Sequence, residues 1–213
     1  MAVGIRGRHR ARWCGMLIIL VGICFLRSNA LSEPGYGTGH GSIPVLSERG
    51  WRMAAYAGRF TETRFGEILR GDIEFGDSYV GAVSVSRPWP ALWRGRMAWE
   101  GEIQAALHGG RQSHAELNGA VLLRWLRFPW DRWLRTSIAY GIGLSFASST
   151  PRLERKRHDR TSRDLLFMPF EIAAGLPRRR GEVFARIHHR SGGFDVYSRG
   201  GGSNVVAVGW RWP

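Results

Sequence analysis

The chain has 213 residues, a length that suits one domain of ordinary size and is too short for two large ones. Hydrophobic residues make up 44% of it, which excludes a disordered chain, and 31 Lys and Arg against 17 Asp and Glu give a net charge of +14. This balance indicates an anionic partner. No nucleotide-binding glycine loop, metal cluster or nucleic-acid module appears in the sequence, so an anionic membrane fits better than a nucleic acid.

The first thirty residues predict a secretory signal peptide. A basic stretch (Arg6–Arg12) precedes an apolar run (Met16–Phe25), and small residues follow up to Ala30. We expect cleavage after Ala30. The alternative is an uncleaved membrane anchor, but the apolar run is shorter than the roughly 20 residues that a spanning helix needs. The segment holds both cysteines, so a mature protein that begins at Leu31 has no thiol for disulfides, nucleophilic catalysis or metal binding.

Residues 31–50 form a predicted linker, because glycines and prolines interrupt any regular element. From residue 51 to 213 aromatic, β-branched and small residues recur in segments of about ten residues, within which apolar and polar side chains alternate. This period of two is typical of strands with one buried face. The eight predicted strands are, in chain order, 51–58, 78–86, 97–108, 115–126, 134–146, 166–176, 182–190 and 205–212.

Eight alternating strands indicate a closed antiparallel barrel, and two opposite arrangements produce the pattern. A soluble lipocalin-like barrel places the apolar face inside, whereas a transmembrane barrel places it outside, against lipid. The polar face favours the second arrangement, because it carries acids and arginines that could pair in a narrow lumen. These residues are Glu100, Glu102, Glu116, Glu171, Glu182, Arg124, Arg135, Arg186, Arg190 and Arg211. The predicted fold class is all-β, an eight-stranded antiparallel up-and-down transmembrane β-barrel.

Long and short connections alternate between the predicted strands, as in outer-membrane barrels. Residues 59–77 and 147–164 form long connections, and residues 87–96 and 177–181 form short ones. Tryptophans cluster at the short-turn ends, as in an interfacial aromatic girdle: Trp89, Trp93, Trp125, Trp130, Trp133, Trp210 and Trp212. We expect short turns in the periplasm and a protein in the outer membrane of a Gram-negative bacterium, after secretion through the inner membrane. Its expected partners are outer-membrane lipid and lipopolysaccharide.

The seventh predicted strand ends in a polar pair on its lipid-facing side. Along that side Val183, Ala185 and Ile187 are followed by His189 and Ser191. Residues i and i+2 of a strand point the same way at roughly 7 Å between Cα atoms. An imidazole could therefore bond the hydroxyl and act as its base. The alternative is that both residues only mark the headgroup boundary, where polar side chains are tolerated.

The same stretch carries a longer motif. It reads Arg186-Ile187-His188-His189-Arg190-Ser191-Gly192, then a glycine-rich loop, Gly201-Gly202-Ser203-Asn204 and a final strand. This ending resembles the lipid A deacylases, the acyloxyacyl hydrolase-like outer-membrane proteins. Members of that family are esterases that remove an ester-linked acyl chain from lipid A, with a His-x-Ser pair on the outer wall and an acid from the last strand. The resemblance implies His189 as the base and Ser191 as the nucleophile.

The acid of the family has no counterpart here, since its glutamate precedes the last strand, where this sequence has no carboxylate. Asn204 has the lipid-facing parity, and its amide oxygen can orient a histidine without stabilising the cation as a carboxylate would. Asp195 is the nearest acid, and Gly192 stands where the family usually has an asparagine. The candidate catalytic residues are His189, Ser191 and Asn204. Two alternatives remain: a noncatalytic barrel that binds lipid or shapes the envelope, and a soluble lipocalin-like periplasmic carrier.

Two further groups of residues are weaker candidates. His108 and His114 flank a short predicted loop, and two histidines without further ligands make a poor zinc site. We interpret them as loop residues and expect neither a metal nor a cofactor. The second long connection carries a basic cluster that would face lipopolysaccharide phosphates. It comprises Arg152, Arg155, Lys156, Arg157, Arg160 and Arg163, with Glu154 and Asp159 among them.

Overall fold

The structure is a computed structural model that describes residues 50–157, 161–177, 180–193, 197 and 202–213. The predicted signal peptide and the predicted linker up to residue 49 lie outside these ranges. Within them, neither helix has the length and apolar character to cross a membrane.

The described chain consists almost entirely of antiparallel strands. In chain order the elements are β1 (Arg52–Thr61), α1 (Phe65–Ile68), β2 (Phe75–Leu92), β3 (Met97–Gly110), β4 (His114–Trp125), β5 (Arg135–Ala147), α2 (Arg152–Arg157), β6 (Asp164–Phe167), β7 (Phe170–Gly175), β8 (Glu182–Ser191) and β9 (Gly202–Trp212). Consecutive strands pair with each other, except that β6 and β7 do not, and β1 pairs with β9 to close the sheet.

The sixth barrel strand is built from two pieces, since both β6 and β7 pair with β5 on one side and β8 on the other. Met168 and Pro169 interrupt it, because a proline has no N–H to give to the ladder. The interruption is still bridged, as the Met168 N–H donates to the carbonyl of His189 at 2.8 Å. Counted this way, the described residues form eight barrel strands, which confirms the predicted fold class.

The outer wall of the barrel is apolar. Ile103 and Leu107 on β3 are 63% and 70% exposed, while the residues that alternate with them, such as Glu102 and Gln104, are buried. A closed barrel satisfies its strand hydrogen bonds internally and can present such a wall to lipid. The soluble lipocalin-like alternative is therefore wrong, because in that arrangement the apolar face would line the lumen.

The lumen is filled by an ion-pair network centred on Glu171, which is completely buried. Its carboxylate accepts hydrogen bonds from Arg124 at 2.8 Å, Arg186 at 2.6 Å and Arg211 at 2.7 Å. Each arginine also contacts a second carboxylate: Glu100 at 2.7 Å, Glu102 at 2.7 Å and Glu182 at 2.5 Å, respectively. Nine of the ten predicted lumen charges are buried, and Arg135 is half-buried. The interior here is a packed polar core.

Every tryptophan in the described residues lies at one end of the barrel, which confirms the predicted aromatic girdle. This end includes the tight β2–β3 turn, where Trp93 and Arg94 take positive φ angles of 47° and 56° before Gly95. The tryptophans are Trp51, Trp89, Trp93, Trp99, Trp125, Trp130, Trp133, Trp210 and Trp212. The opposite end carries α1, α2 and the last residues of β8, so it is the predicted outward end.

Candidate active site

His189 and Ser191 lie at the outward end of β8, on its outer face and both half-buried, as the alternation predicts. In the β8–β9 ladder, His189 is directly opposite Asn204, and Ser191 is opposite Gly202. The register therefore brings two of the three candidate residues together across neighbouring strands.

His189 and Asn204 are hydrogen-bonded through their side chains, with 2.5 Å between Nδ1 and Oδ1. The amide is itself held, because its Nδ2 donates to the carbonyl of Thr63 at 2.8 Å. With Nδ2 committed as the donor, Oδ1 is the acceptor and Nδ1 of the imidazole must carry the hydrogen. In the neutral ring this leaves the lone pair on Nε2, the tautomer that a general base needs.

Ser191 makes a different contact. Its Oγ accepts a hydrogen bond from the N–H of Gly193 at 3.1 Å. Among the described residues there is no hydrogen bond between the Ser191 hydroxyl and the His189 ring. The two side chains share the outer face of β8, as residues two apart in a strand do.

No carboxylate in the described chain is bonded to His189. Asp195, the nearest acid suggested by the sequence, lies outside the described residues. Gly192, at the position where the resembled family usually has an asparagine, is buried beside the serine. The third position of the candidate triad is therefore held by an amide.

The short helix α1 covers the outer wall beside His189. The ring centroid of Phe65 is 5.5 Å from that of His189, and its ring also packs edge-on against Phe170 at 6.4 Å. Ile68 and Ile73 are buried against Ile187 of β8. Sequence reasoning missed this helix inside the long first connection. Its signal was the recurrence of Phe65, Ile68, Leu69 and Ile73 among polar residues, a helical spacing over too few turns to be persuasive.

An apolar groove of about 260 Å³ lies between α1 and the strands β7, β8 and β9. One end is formed by Phe170 and Ile187, next to His189, and the groove continues along the wall to Val183 and Val208. Because successive outward residues of β8 run from His189 toward the girdle end, the groove leads from the site toward the middle of the barrel wall. Its shape and lining suit a hydrocarbon chain.

The outward end also carries exposed cations. Arg152 and Arg155 of α2 and the nearby Arg163 are exposed. The acid of the same helix points inward, where Glu154 contacts Arg190 and Ser203 at 2.8 Å and 2.7 Å. The helix thus closes the lumen with its acid and presents arginines at the surface.

No family model matches this chain, and no curated protein matches it. Among solved structures the barrel is similar to the outer-membrane enzyme PagL, with a TM-score of 0.55 and 14% identity over 76% of this chain and 99% of that one. Neisserial surface protein A (NspA) is also similar, with a TM-score of 0.45 and 6% identity over 76% of this chain and 95% of that one. The likeness to PagL agrees with the closed barrel and its apolar wall, so the chain has the architecture of an outer-membrane β-barrel.

Proposed function

We propose that this protein is an outer-membrane esterase that hydrolyses an ester-linked acyl chain of lipid A, with Ser191 as nucleophile, His189 as base and Asn204 as the residue that orients the imidazole. The observation that carries the proposal is the hydrogen bond from His189 to Asn204 on the outer wall, two residues along each strand from Ile187 and Val206, which line the apolar groove. A lipid-facing wall gains little from an imidazole of fixed tautomer, whereas ester hydrolysis at the membrane surface requires one.

In this mechanism, Asn204 holds the Nδ1 hydrogen so that Nε2 of His189 takes the proton of Ser191. The serine oxygen attacks the ester carbonyl and forms a tetrahedral intermediate. Collapse expels the sugar or hydroxyacyl oxygen, which receives the proton back from His189 and leaves an acyl-enzyme. A water molecule activated by His189 then attacks that ester and releases the fatty acid and the free serine. Because an amide does not neutralise the imidazolium as a carboxylate does, we expect slow turnover.

The surroundings of the site fit the same substrate. The groove between α1 and β7–β9 would hold the acyl chain, and Phe65 packs between its lining residue Phe170 and the His189 ring. The exposed Arg152, Arg155 and Arg163 would lie near the phosphates of lipid A in the outer leaflet. The likeness to PagL, itself an outer-membrane enzyme, supports the barrel as a scaffold for such chemistry. The resemblance of residues 186–192 to lipid A deacylases supports the reaction type.

The test is the mass spectrum of lipid A, together with the released fatty acid, after incubation with the detergent-solubilised protein. Ser191→Ala and His189→Asn should abolish release of the fatty acid. Both variants should still fold, so that their unboiled samples migrate on a gel as the unboiled wild type does. Ser162→Ala, a serine at the same end whose hydroxyl bonds Asp164, serves as the matched control and should keep full activity. Asn204→Asp should raise kcat, because it places a carboxylate on Nδ1 to stabilise the imidazolium.

A noncatalytic barrel that binds lipopolysaccharide is the second candidate. One observation favours it: the Ser191 hydroxyl contacts the Gly193 N–H and not the His189 ring. If the wild-type protein leaves lipid A of several acylation patterns intact, this second function replaces the first. If Ser191→Ala keeps full activity, Ser191 is not the nucleophile and the proposed site is wrong.

A further inference from the structure

Three histidines and a glutamate meet inside the barrel near its outward end. His108 lies near the end of β3, His114 and Glu116 at the start of β4, and His188 on β8. None of the four is more than 7% exposed. Sequence reasoning treated His108 and His114 as loop residues, but they are cross-strand partners in the β3–β4 ladder and point into the lumen. Barrel closure then adds His188, from a strand 70 residues or more away in the sequence.

The ring nitrogens of the three histidines converge on one carboxylate. The Nε2 atoms of His108 and His114 are 3.1 Å and 3.0 Å from Oε1 of Glu116, and that of His188 is 3.0 Å from Oε2. The ligand atoms of His108, Glu116 and His188 all lie within 4.8 Å of one another. Tetrahedral zinc sites have metal–nitrogen and metal–oxygen bonds of about 2.0 Å, which separates neighbouring ligand atoms by roughly 3.3 Å. Side-chain movements of about 1 Å would bring these three ligand atoms around a single ion, whereas the ring of His114 stacks on that of His108 and lies outside the set.

Hydrogen bonding alone leaves this cluster incomplete. Nε2 of His108 is buried and has no hydrogen-bond partner of acceptable geometry, although it lies close to the carboxylate. Nδ1 of His114 and Oε1 of the neighbouring Gln112 are also buried without a partner. Orphaned polar atoms at a buried site require an explanation. A metal ion bound to Nε2 of His108 would give this atom its partner.

Polar groups also contact the far side of two of the rings. His188 Nδ1 is 2.8 Å from the Tyr56 hydroxyl, which donates its own hydrogen to Gln104 at 2.7 Å, and 3.3 Å from the amide nitrogen of Gln104. His108 Nδ1 is 3.5 Å from the amide nitrogen of Gln112. Second contacts of this kind orient the rings of metal-bound histidines.

We propose that His108 and His188, through Nε2, and Glu116, through a carboxylate oxygen, bind one divalent transition-metal ion, with zinc the best match to two imidazoles and one carboxylate. Three protein ligands leave one position of a tetrahedral zinc ion for water. Because all three ligands are buried in the packed lumen and not on the outer wall, we expect the ion to be structural. Arg190 lies 3.3 Å from the same carboxylate, but Glu154 matches its charge at 2.8 Å. The ion would pin β8 to β3 and β4 across the lumen. This proposal does not depend on the esterase.

The experiment uses the untagged full-length barrel, extracted from membranes in detergent, stripped with a chelator and titrated with Zn²⁺ alone. We expect about one equivalent to bind and the thermal unfolding midpoint to rise, because ligands that bind only the folded state stabilise it. The double variant His108→Asn/His188→Asn should lose affinity by at least tenfold. His189→Asn is the matched control: it is the next residue of β8 but lies on the outer wall, so its zinc affinity should equal that of wild type.

X-ray absorption at the zinc edge gives a reading that does not require the variants to fold. We expect two imidazole nitrogens, with oxygen in the remaining positions of the first coordination sphere, in the wild-type protein. Wild type without stoichiometric zinc, a first sphere without histidine, or a folded double variant that binds zinc as wild type does would each overturn the proposal. A double variant that fails to fold leaves the absorption spectrum to decide.

Discussion

Glu171→Gln tests whether the ion-pair network holds the barrel together. The change preserves side-chain shape and removes one negative charge from a completely buried position that contacts three arginines. In wild type this part of the network has four acids and four arginines, so the variant has an excess of one positive charge. These residues are Glu100, Glu102, Glu171, Glu182, Arg52, Arg124, Arg186 and Arg211.

The expected loss follows from the contacts that remain. Breaking a buried ion pair by removing one partner costs about 3–5 kcal/mol, because the other charge is left uncompensated. Here each of the three arginines keeps a second carboxylate at 2.7 Å or less, and the glutamine oxygen still accepts one hydrogen bond. The free energy of unfolding should therefore fall by an amount near the lower limit, about 3 kcal/mol.

Urea unfolding in lipid vesicles, followed by tryptophan fluorescence, measures this difference when the slopes of the two transitions agree. Asp77→Asn is the control: Asp77 pairs with Arg111 at 2.6 Å, but both side chains are more than 60% exposed. Its loss should stay below about 1 kcal/mol, as for other exposed pairs. If Glu171→Gln lowers the free energy of unfolding by less than about 1 kcal/mol, as exposed pairs do, the network does not stabilise the barrel and the argument from burial is wrong.

Two other predictions concern the wall and the N-terminus. Gly143→Val should lower the unfolding midpoint strongly, because a Cβ at Gly143 collides with the backbone of Gly119 on β4. Gly81→Val is the control and should keep the wild-type midpoint, because the space around its Cβ is open. Equal midpoints for the two variants would refute the close approach of the two strands at Gly143. N-terminal sequencing of the protein from membranes should begin near Leu31, as the signal peptide predicts, and retention of Met1 would disprove it.

Strand positions and the lumen charges were predictable because both follow from a period of two. In the clearest segment the prediction covered residues 134–146, and β5 spans Arg135–Ala147. The sixth strand shows the limit of this reasoning, since the alternation passes through Pro169 and conceals the break there. The proline was the available signal, because it cannot donate to the ladder of an interior strand.

The candidate site was predictable only as far as one strand reaches. His189 and Ser191 follow from parity along β8, and Asn204 from parity along β9, but their pairing depends on the register between two strands joined by a glycine-rich loop. The alternation of residues within one strand does not reveal how that strand is aligned with its neighbour. For the same reason His188 could not be predicted beside His108 and His114, because it joins them only when the sheet has closed; Glu116, two residues after His114 on the same face of β4, was within reach of the local pattern.

His188 and His189 are consecutive residues on opposite sides of the barrel wall, one facing Glu116 in the lumen and the other Asn204 outside. A shift of β8 by one residue would exchange them, placing the inner imidazole in lipid and the outer one among the buried charges. Both clusters would then be lost in a single step. Two adjacent side chains therefore both favour the correct register of β8. A deletion of one residue within this strand should reduce the yield of folded barrel far more than a deletion in the loop that follows it.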